Sequence, residues 1–291
     1  MKHRYDFLFL FDCIDANPNG DPDAGNLPRI DTETGQGLVT DVCIKRKIRD
    51  YIDLTGKRAI YVRSRAVLNT QNNEAWEAVS PGTVKTKRNE RPDDEKVANK
   101  LRDWMCEKYY DVRTFGAVMT NEINCGQVRG PVQISFARSF DPILSQEHSI
   151  AVCAARKEGK SIDSQIGLQG RKFTIPYGLY KAQGFVNPFL ATQTGFTSDG
   201  EDSDLELLFT ALENAFQFDQ SAARPAGSMN PRALIVFKHD SQLGNAPSHK
   251  LFELVTVKKK DAVEVPRAFS DYEVTIDRSG LPAGVEIIER I

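Results

Sequence analysis

The sequence predicts an α+β fold, a split βαβ sheet of the ferredoxin-like type, for this chain of 291 residues. The order strand, helix, strand occurs twice, first over residues 5–63 and again over residues 173–237. Two such halves in one chain are what a split βαβ sheet requires. The composition, with 40% hydrophobic and 27% charged residues, is that of a globular protein, and it excludes wholesale disorder and a coiled coil.

The first half begins with a strand over residues 5–15, which is apolar and rich in aromatic side chains. A turn-rich stretch follows and contains Asn-Pro-Asn-Gly-Asp-Pro at 17–22. The spacing of apolar residues then predicts a helix over 41–54 with Thr40 as its N-cap. A short strand over 59–63 completes this half.

The second half contains strand material over 173–186, a helix over 204–218 and a strand over 233–237. We expect residues 1–64 and 171–291 to form the main sheet unit, and residues 65–170 to form an insertion. The insertion holds a mixed-charge run over residues 85–95, then a helix that extends to residue 109. Further strands are predicted at 112–120 and 131–137 in the insertion and at 251–257 and 272–276 near the C-terminus.

Charge is separated along the chain although the formal net charge is only −2. Residues 1–40 hold three Lys or Arg and seven Asp or Glu, whereas residues 41–65 hold eight against three. Residues 156–181 are again basic, with six against two, and residues 198–220 hold seven acidic residues and no Lys or Arg. Separated charge suits the binding of a polyanion, because each neutralised phosphate releases counterions.

Few residues are spaced for catalysis. The four histidines are scattered, and the sequence has no phosphate-loop or zinc-binding pattern. The five cysteines lie at least 19 residues apart, which predicts reduced, packed thiols. We expect no cofactor. One acidic loop could hold a divalent cation through its carboxylates, and it contains Asp21, Asp23, Asp31 and Glu33.

Two segments after the insertion have compositions suited to a phosphate backbone. Residues 165–181 interleave glycines, cations and aromatic residues, as a hairpin that follows nucleic acid would. The loop over 221–229 is built of small residues around one cation, Arg224, and could approach a phosphate through its N–H groups. The N-terminus lacks the apolar core of a signal peptide, and no apolar stretch is long enough to span a bilayer, so we expect a cytoplasmic protein.

Several motifs together resemble one known family. They are Asn-Pro-Asn-Gly-Asp-Pro at 17–22, Val-Thr-Asp-Val-Cys-Ile-Lys-Arg-Lys-Ile-Arg-Asp-Tyr at 39–51, Asp-Val-Arg-Thr-Phe-Gly-Ala at 111–117, Gly-Pro-Val-Gln-Ile-Ser-Phe-Ala-Arg-Ser at 130–139, Ile-Pro-Tyr-Gly-Leu-Tyr at 175–180 and Ala-Arg-Pro-Ala-Gly-Ser-Met at 223–229. The chain is similar to the backbone subunit of type I CRISPR surveillance complexes (Cascade), in the RAMP superfamily, and most closely to the type I-C form. The likeness extends over nearly the whole chain.

This resemblance implies an RRM-like palm with inserted helical fingers and a hairpin thumb near 160–185. It implies a non-catalytic antiviral protein that polymerises along CRISPR guide RNA with other Cascade subunits and presents the spacer to target DNA. The sheet lacks the Arg/Lys-Gly-Phe-Gly-Phe-Val pattern of RNA-recognition motifs, so we do not expect bases to stack on it. The expected RNA-binding residues are Asn17, Asn19, Thr40, Lys45, Arg46, Arg49, Gln169, Arg171, Lys172 and Arg224.

Two other hypotheses remain open at this point. The first is a metal-dependent endoribonuclease, because related type III backbone subunits use an acidic residue in the loop after the first strand. The acidic loop described above occupies the corresponding stretch. The second is an oligomeric protein without a nucleic-acid role, whose basic helix face is simply solvated.

Overall fold

The computed structural model describes residues 1–82, 92, 94–151, 153–154 and 169–291, and it describes Gln169 by its backbone alone. Most of the mixed-charge run, including Lys85 to Arg91, lies outside the described residues. The helices are α1 Asp41–Leu54, α2 Leu68–Val79, α3 Glu95–Lys108, α4 Tyr110–Phe115, α5 Pro188–Thr194, α6 Asp204–Glu213 and α7 Ser248–Glu253. The strands are β1 Tyr5–Ala16, β2 Gly20–Asp21, β3 Leu27–Pro28, β4 Gln36–Val39, β5 Gly116–Met119, β6 Gly126–Arg129, β7 Val132–Ile134, β8 Ala137–Pro142, β9 Gln146–Ala151, β10 Gln169–Val186, β11 Met229–His239, β12 Val255–Lys259, β13 Tyr272–Ile276 and β14 Val285–Glu289. Within the described ranges, no helix combines the length and the apolar character needed to cross a membrane.

A large antiparallel sheet forms the centre of the protein, with the strand order β14-β11-β1-β10-β8-β4. Strand β1 pairs with β10 from Tyr5 opposite Val186 to Ala16 opposite Ile175. On its other side β1 pairs with β11. Strand β10 is 18 residues long and also pairs with β7 and β9. The predicted α+β class is confirmed.

Alternation along β1 assigns the two faces of the sheet to different partners. Phe7, Phe9 and Phe11 join the apolar core that includes residues of α1 and α6. Leu8 and Leu10 belong to a second cluster, with residues of α7, β12 and β14. Both faces of the central strands are therefore covered by protein, and base stacking on an open sheet is not available there.

The residues between α1 and β7 form an apolar core of their own, which includes Trp76, Leu101 and Met105. Asp111 of α4 helps to hold this insertion together. Its carboxylate accepts hydrogen bonds from the backbone N–H groups of Tyr61 and Val62, at 2.7 and 3.0 Å. The insertion is thus a packed unit with a fixed link to the chain that follows α1.

The prediction of a short strand at 59–63 is wrong. Ala59 forms an isolated bridge with Tyr109, and the N–H groups of Tyr61 and Val62 bond to the Asp111 side chain instead of to a neighbouring strand. The sheet is completed next to β10 by β7 and β8. Both of these strands lie within 65–170, the range that the sequence assigns to the insertion.

Further boundaries differ from the prediction. The strand expected over 131–137 is divided between β7 and β8. The helix expected over 204–218 ends at Glu213. The segment 112–120 begins as α4 and only then becomes β5, and the segment 251–257 is divided between α7 and β12. In the last two cases a short apolar run is compatible with either helix or strand, so its periodicity cannot decide between them.

The glycine at 184 is expected to be indispensable to the core. It lies opposite Phe7, and a Cβ added there would stand 2.0 Å from Cζ of that ring. The ring is buried and packs edge-to-face on Phe209, so it has no free space to enter. We expect Gly184→Ala to lower the free energy of unfolding by about 1 to 3 kcal/mol.

The matched control is Gly170→Ala on the same strand, where the nearest contact of an added Cβ is 3.6 Å away. We expect this variant to change stability by less than about 0.5 kcal/mol. Thermal melts followed by circular dichroism compare the two proteins. Equal melting temperatures for both variants would contradict the packing argument.

Candidate nucleic-acid interface

A groove of about 650 Å³ opens beside the N-terminal end of α1. It is lined by the segment after β1, the first turns of α1, the β9–β10 hairpin and the loop at 219–224. Among the described residues that line it, one is acidic, Asp219, and six are cationic. The cations are Arg29, Arg46, Lys47, Arg171, Lys172 and Arg224. A concave site with a formal charge of +5 attracts polyanions and raises their local concentration.

The groove brings together most of the residues that the sequence predicts to bind RNA. Those that line it are Asn17, Asn19, Thr40, Arg46, Arg171, Lys172 and Arg224. Gln169 is the first residue of β10, the strand that also carries two of these cations. Lys45 and Arg49 do not line the groove, although they lie on α1 as expected.

The polar residues at the mouth of the groove shape the connection into α1. Thr40 is the N-cap, as predicted: its Oγ1 accepts from the Cys43 N–H at 3.2 Å. The same hydroxyl donates to Asn19 Oδ1 at 3.1 Å. Asn17 donates from Nδ2 to the backbone oxygen of Asn26 at 2.7 Å. These side chains therefore stabilise the segment between β1 and α1 through contacts within the protein itself.

Arg46 is an exposed cation of α1 in the groove. Its side chain is 72% exposed, and its Nε lies 3.6 Å from Oδ2 of Asp50. Burial raises the pKa of Asp50, while the charge of Arg46 acts in the opposite direction. A guanidinium held by one distant carboxylate at the surface can turn toward a phosphate at little cost.

Lys45 and Arg49 occupy a neighbouring side of α1, over the ring of Phe115. Their side chains are 15% and 14% exposed, and they pair at 2.8 Å with Asp41 and Asp111, respectively. Both cations are therefore already paired with carboxylates, and Arg49 joins α1 to the insertion. Contact of these two residues with RNA stays a prediction.

The β9–β10 hairpin forms another wall of the groove. All six residues of β9 are exposed, so this arm projects from the sheet. Arg171 is 72% exposed, and its Nε lies 3.2 Å from Glu147 on the paired strand. Lys172 is opposite His148 in the register. The two cations are therefore carried on a projecting strand pair.

Sequence reasoning missed three charged residues of the groove, Arg29, Lys47 and Asp219. Lys47 is buried, pairs with Asp219 and lies 5.5 Å from the ring centre of Phe216. The sequence does contain one signal for Lys47, because this residue lies three positions after Ile44 on the apolar side of α1. A lysine is almost never buried without a partner, and the acidic stretch 198–220 supplies one.

The acidic loop does not gather its carboxylates. Asp21 pairs with Arg29 at 3.1 Å and Asp31 with Arg138 at 2.6 Å. The hydrogen bond from Arg138 lowers the pKa of the Asp31 carboxyl group. Over the described ranges, no group of three or more His, Cys, Asp or Glu side chains is arranged to hold a metal ion. This geometry does not favour the nuclease hypothesis.

A cationic groove beside a covered antiparallel sheet defines an α+β protein with a surface suited to polyanions. Residues 3–277 match the family model described as CRISPR-associated protein Cas7, and the chain belongs to that family.

Individual relatives are also similar to this chain. The CRISPR-associated protein Cas7 of Haloferax volcanii is 26% identical over 305 residues, which cover 99% of this chain and 84% of that protein. A chain of a structure titled CRISPR RNA-guided surveillance complex, pre-nicking, is 16% identical with a TM-score of 0.48, covering 80% of this chain and 78% of that chain. A chain titled CRISPR RNA-guided surveillance complex is 14% identical with a TM-score of 0.39, covering 80% of this chain and 68% of that chain.

Proposed function

We propose that this protein is a guide-RNA-binding backbone subunit of a CRISPR Cascade complex, without catalytic activity of its own. Family membership supports the kind of complex. The observation that supports RNA binding is the groove, which is lined by cations from separate stretches of the chain. Contacts from Lys and Arg to phosphates carry no sequence information, so such a subunit accepts any spacer.

Within this proposal, the accessible cations of the groove contact phosphates directly. These are the exposed Arg46 on α1 and Arg171 on the hairpin, together with Lys172, which is half-buried. Asn17, Asn19 and Thr40 support the loop and bring N–H groups toward the RNA backbone. Lys45 and Arg49 are already paired with Asp41 and Asp111, so a contact of either residue with RNA requires it to exchange or share its carboxylate with a phosphate. Gln169, the first residue of β10, stays a predicted RNA contact.

The same proposal interprets the architecture as an RRM-like palm with fingers and a thumb. The palm comprises residues 1–64 and 171–291, to which we add β7 and β8 because they pair with β10. The insertion with its own core forms the fingers. The β9–β10 hairpin is the thumb, which interrupts the guide so that the remaining bases stay free to pair.

The assembly is proposed to be a filament of several copies on one guide RNA, flanked by other Cascade subunits, with target DNA recognised through the guide. The type I-C subtype rests on the sequence motifs alone. Because the phosphate contacts leave base edges exposed, the protein would position the guide and the bases would supply specificity.

We expect the purified protein to bind single-stranded RNA of any sequence, with an affinity that falls steeply as salt rises. Each phosphate contact contributes a slope of about −0.7 in log affinity against log salt. Arg46→Gln should therefore weaken binding and reduce the steepness of the slope by about 0.7. Fluorescence anisotropy with two unrelated labelled RNAs at several salt concentrations measures both quantities.

The matched control is Arg278→Gln, another exposed arginine in an ion pair, with Glu289. It should leave both the affinity and the slope unchanged. The RNA recovered after incubation with Mg²⁺ should be intact. Cleavage that stops on chelation would support the nuclease instead, and absence of RNA binding by the unmodified protein would overturn the proposed function.

A further inference from the structure

We infer that Asp219 is a positioning residue, which holds the guanidinium of Arg224 in the orientation that the groove presents to a phosphate. This inference rests on the proposed function and concerns how the groove is organised. Neither family membership nor the sequence motifs assign a role to Asp219. The contacts around its carboxylate carry the argument.

Arg224 is held on one edge by the protein. Its Nε donates to Asp219 Oδ2 at 2.7 Å, and its Nη2 donates to Oδ1 at 3.3 Å. Its Nη1 donates to the backbone oxygen of Asn17 at 3.3 Å. A guanidinium has five N–H donors in a rigid plane, so three are engaged and two remain for a ligand. The side chain is 24% exposed and lines the groove.

The carboxylate is itself fixed from behind by Lys47. This side chain is only 3% exposed and pairs with the oxygen that Arg224 also uses. A buried ion pair usually adds little to stability relative to apolar residues of similar size. Two cations sharing one carboxylate leave a net positive charge beside the groove. The arrangement thus makes Arg224 rigid without neutralising the site.

The backbone completes this support. The N–H of Asn17 donates to the carbonyl oxygen of Ala223 at 3.0 Å, and Ser221 and Arg224 form a bridge within their loop. The loop that carries Arg224 is therefore joined to the segment after β1. A charged group held in this way binds an anion with less loss of side-chain freedom than a mobile one.

The test compares two hypotheses that predict opposite changes in RNA affinity when Asp219 loses its charge. Asp219→Asn keeps the shape of the side chain but raises the formal charge of the groove from +5 to +6, given its six cations and one acid. If Asp219 acted only as a negative charge, RNA would bind more tightly. Positioning predicts the reverse, an affinity about tenfold weaker in the anisotropy assay at fixed salt.

The matched control is Asp50→Asn, which removes the acid beside the exposed Arg46 and should bind RNA as tightly as the unmodified protein or more tightly. Arg224→Lys should lose as much affinity as Asp219→Asn. The double variant Asp219→Asn with Arg224→Lys should lose no more than either alone, since both remove one oriented group. A merely structural role predicts additive losses.

Because Asp219→Asn leaves Lys47 buried without its partner, the same comparison is made with Lys47→Met as the reference and Lys47→Met with Asp219→Asn as the variant. A thermal melt confirms that each protein is folded. Unchanged or tighter RNA binding by the folded Asp219→Asn proteins would overturn the inference. Absence of binding by the unmodified protein would instead overturn the proposed function.

Discussion

Replacing Arg113 with Met is expected to lower the free energy of unfolding by about 3 to 5 kcal/mol. Arg113 forms a two-point contact with Asp204 at the start of α6, with Nε and Nη2 donating at 3.0 and 2.8 Å. Both side chains are less than 10% exposed. The variant would leave the buried carboxylate of Asp204 without its counter-charge. This lowers the free energy of unfolding far more than breaking a solvent-exposed ion pair does.

The same arginine also fixes the end of α3, because its Nη1 donates to the carbonyl oxygens of Cys106 and Glu107 at 3.1 and 3.2 Å. It therefore joins the insertion to the main core. Both tryptophans of the chain, Trp76 and Trp104, pack in the core of the insertion. Urea unfolding followed by tryptophan fluorescence is thus a direct measurement of the loss.

The control for this prediction is Arg278→Met, which breaks an exposed ion pair with Glu289 and should cost less than about 1 kcal/mol. Adding Asp204→Asn to Arg113→Met should recover part of the loss, since the uncompensated charge is then removed. If Arg113→Met and Arg278→Met unfold at the same urea concentration, the ion pair is not the link between the two cores.

Local signals along the chain were sufficient for the elements near the groove. The predicted bounds of α1 and its Thr40 cap match the structure, because an apolar stripe and an N-cap are both encoded within a few residues. Strand β13 also has its predicted bounds. Where one segment contains the whole signal, spacing alone predicts the structure.

The sequence-based predictions fail where a side chain that is distant in the sequence decides the local structure. The segment 59–63 has strand character, but Asp111 captures its N–H groups from about fifty residues away. Likewise Arg49 lies on the basic side of α1, and its carboxylate partner, Asp111, lies 62 residues along the chain. The partner of Lys47 lies 172 residues along the chain. No pattern within one helix reveals such pairs.

Reversing the charge of Arg46 and Arg171 together is expected to weaken RNA binding by about 100-fold or more at moderate salt. The two side chains lie on different elements that line the same groove, α1 and β10. Arg46→Glu with Arg171→Glu changes the formal charge of the groove from +5 to +1, since each replacement removes one positive and adds one negative charge. Both side chains are exposed, so the fold should tolerate the change.

The matched control is Lys238→Glu with Arg278→Glu, which reverses two cations outside the groove. Like the groove cations, Lys238 and Arg278 pair with acidic residues, Glu286 and Glu289. This protein has the same net charge as the groove variant, so a general repulsion of RNA would act on both equally. Anisotropy titrations with one labelled RNA at several salt concentrations compare them. Because a groove contact is local, only the groove variant should lose affinity and show a less steep dependence on salt. Equal losses would mean that RNA responds to the overall charge of the protein, and the groove would no longer be its binding site.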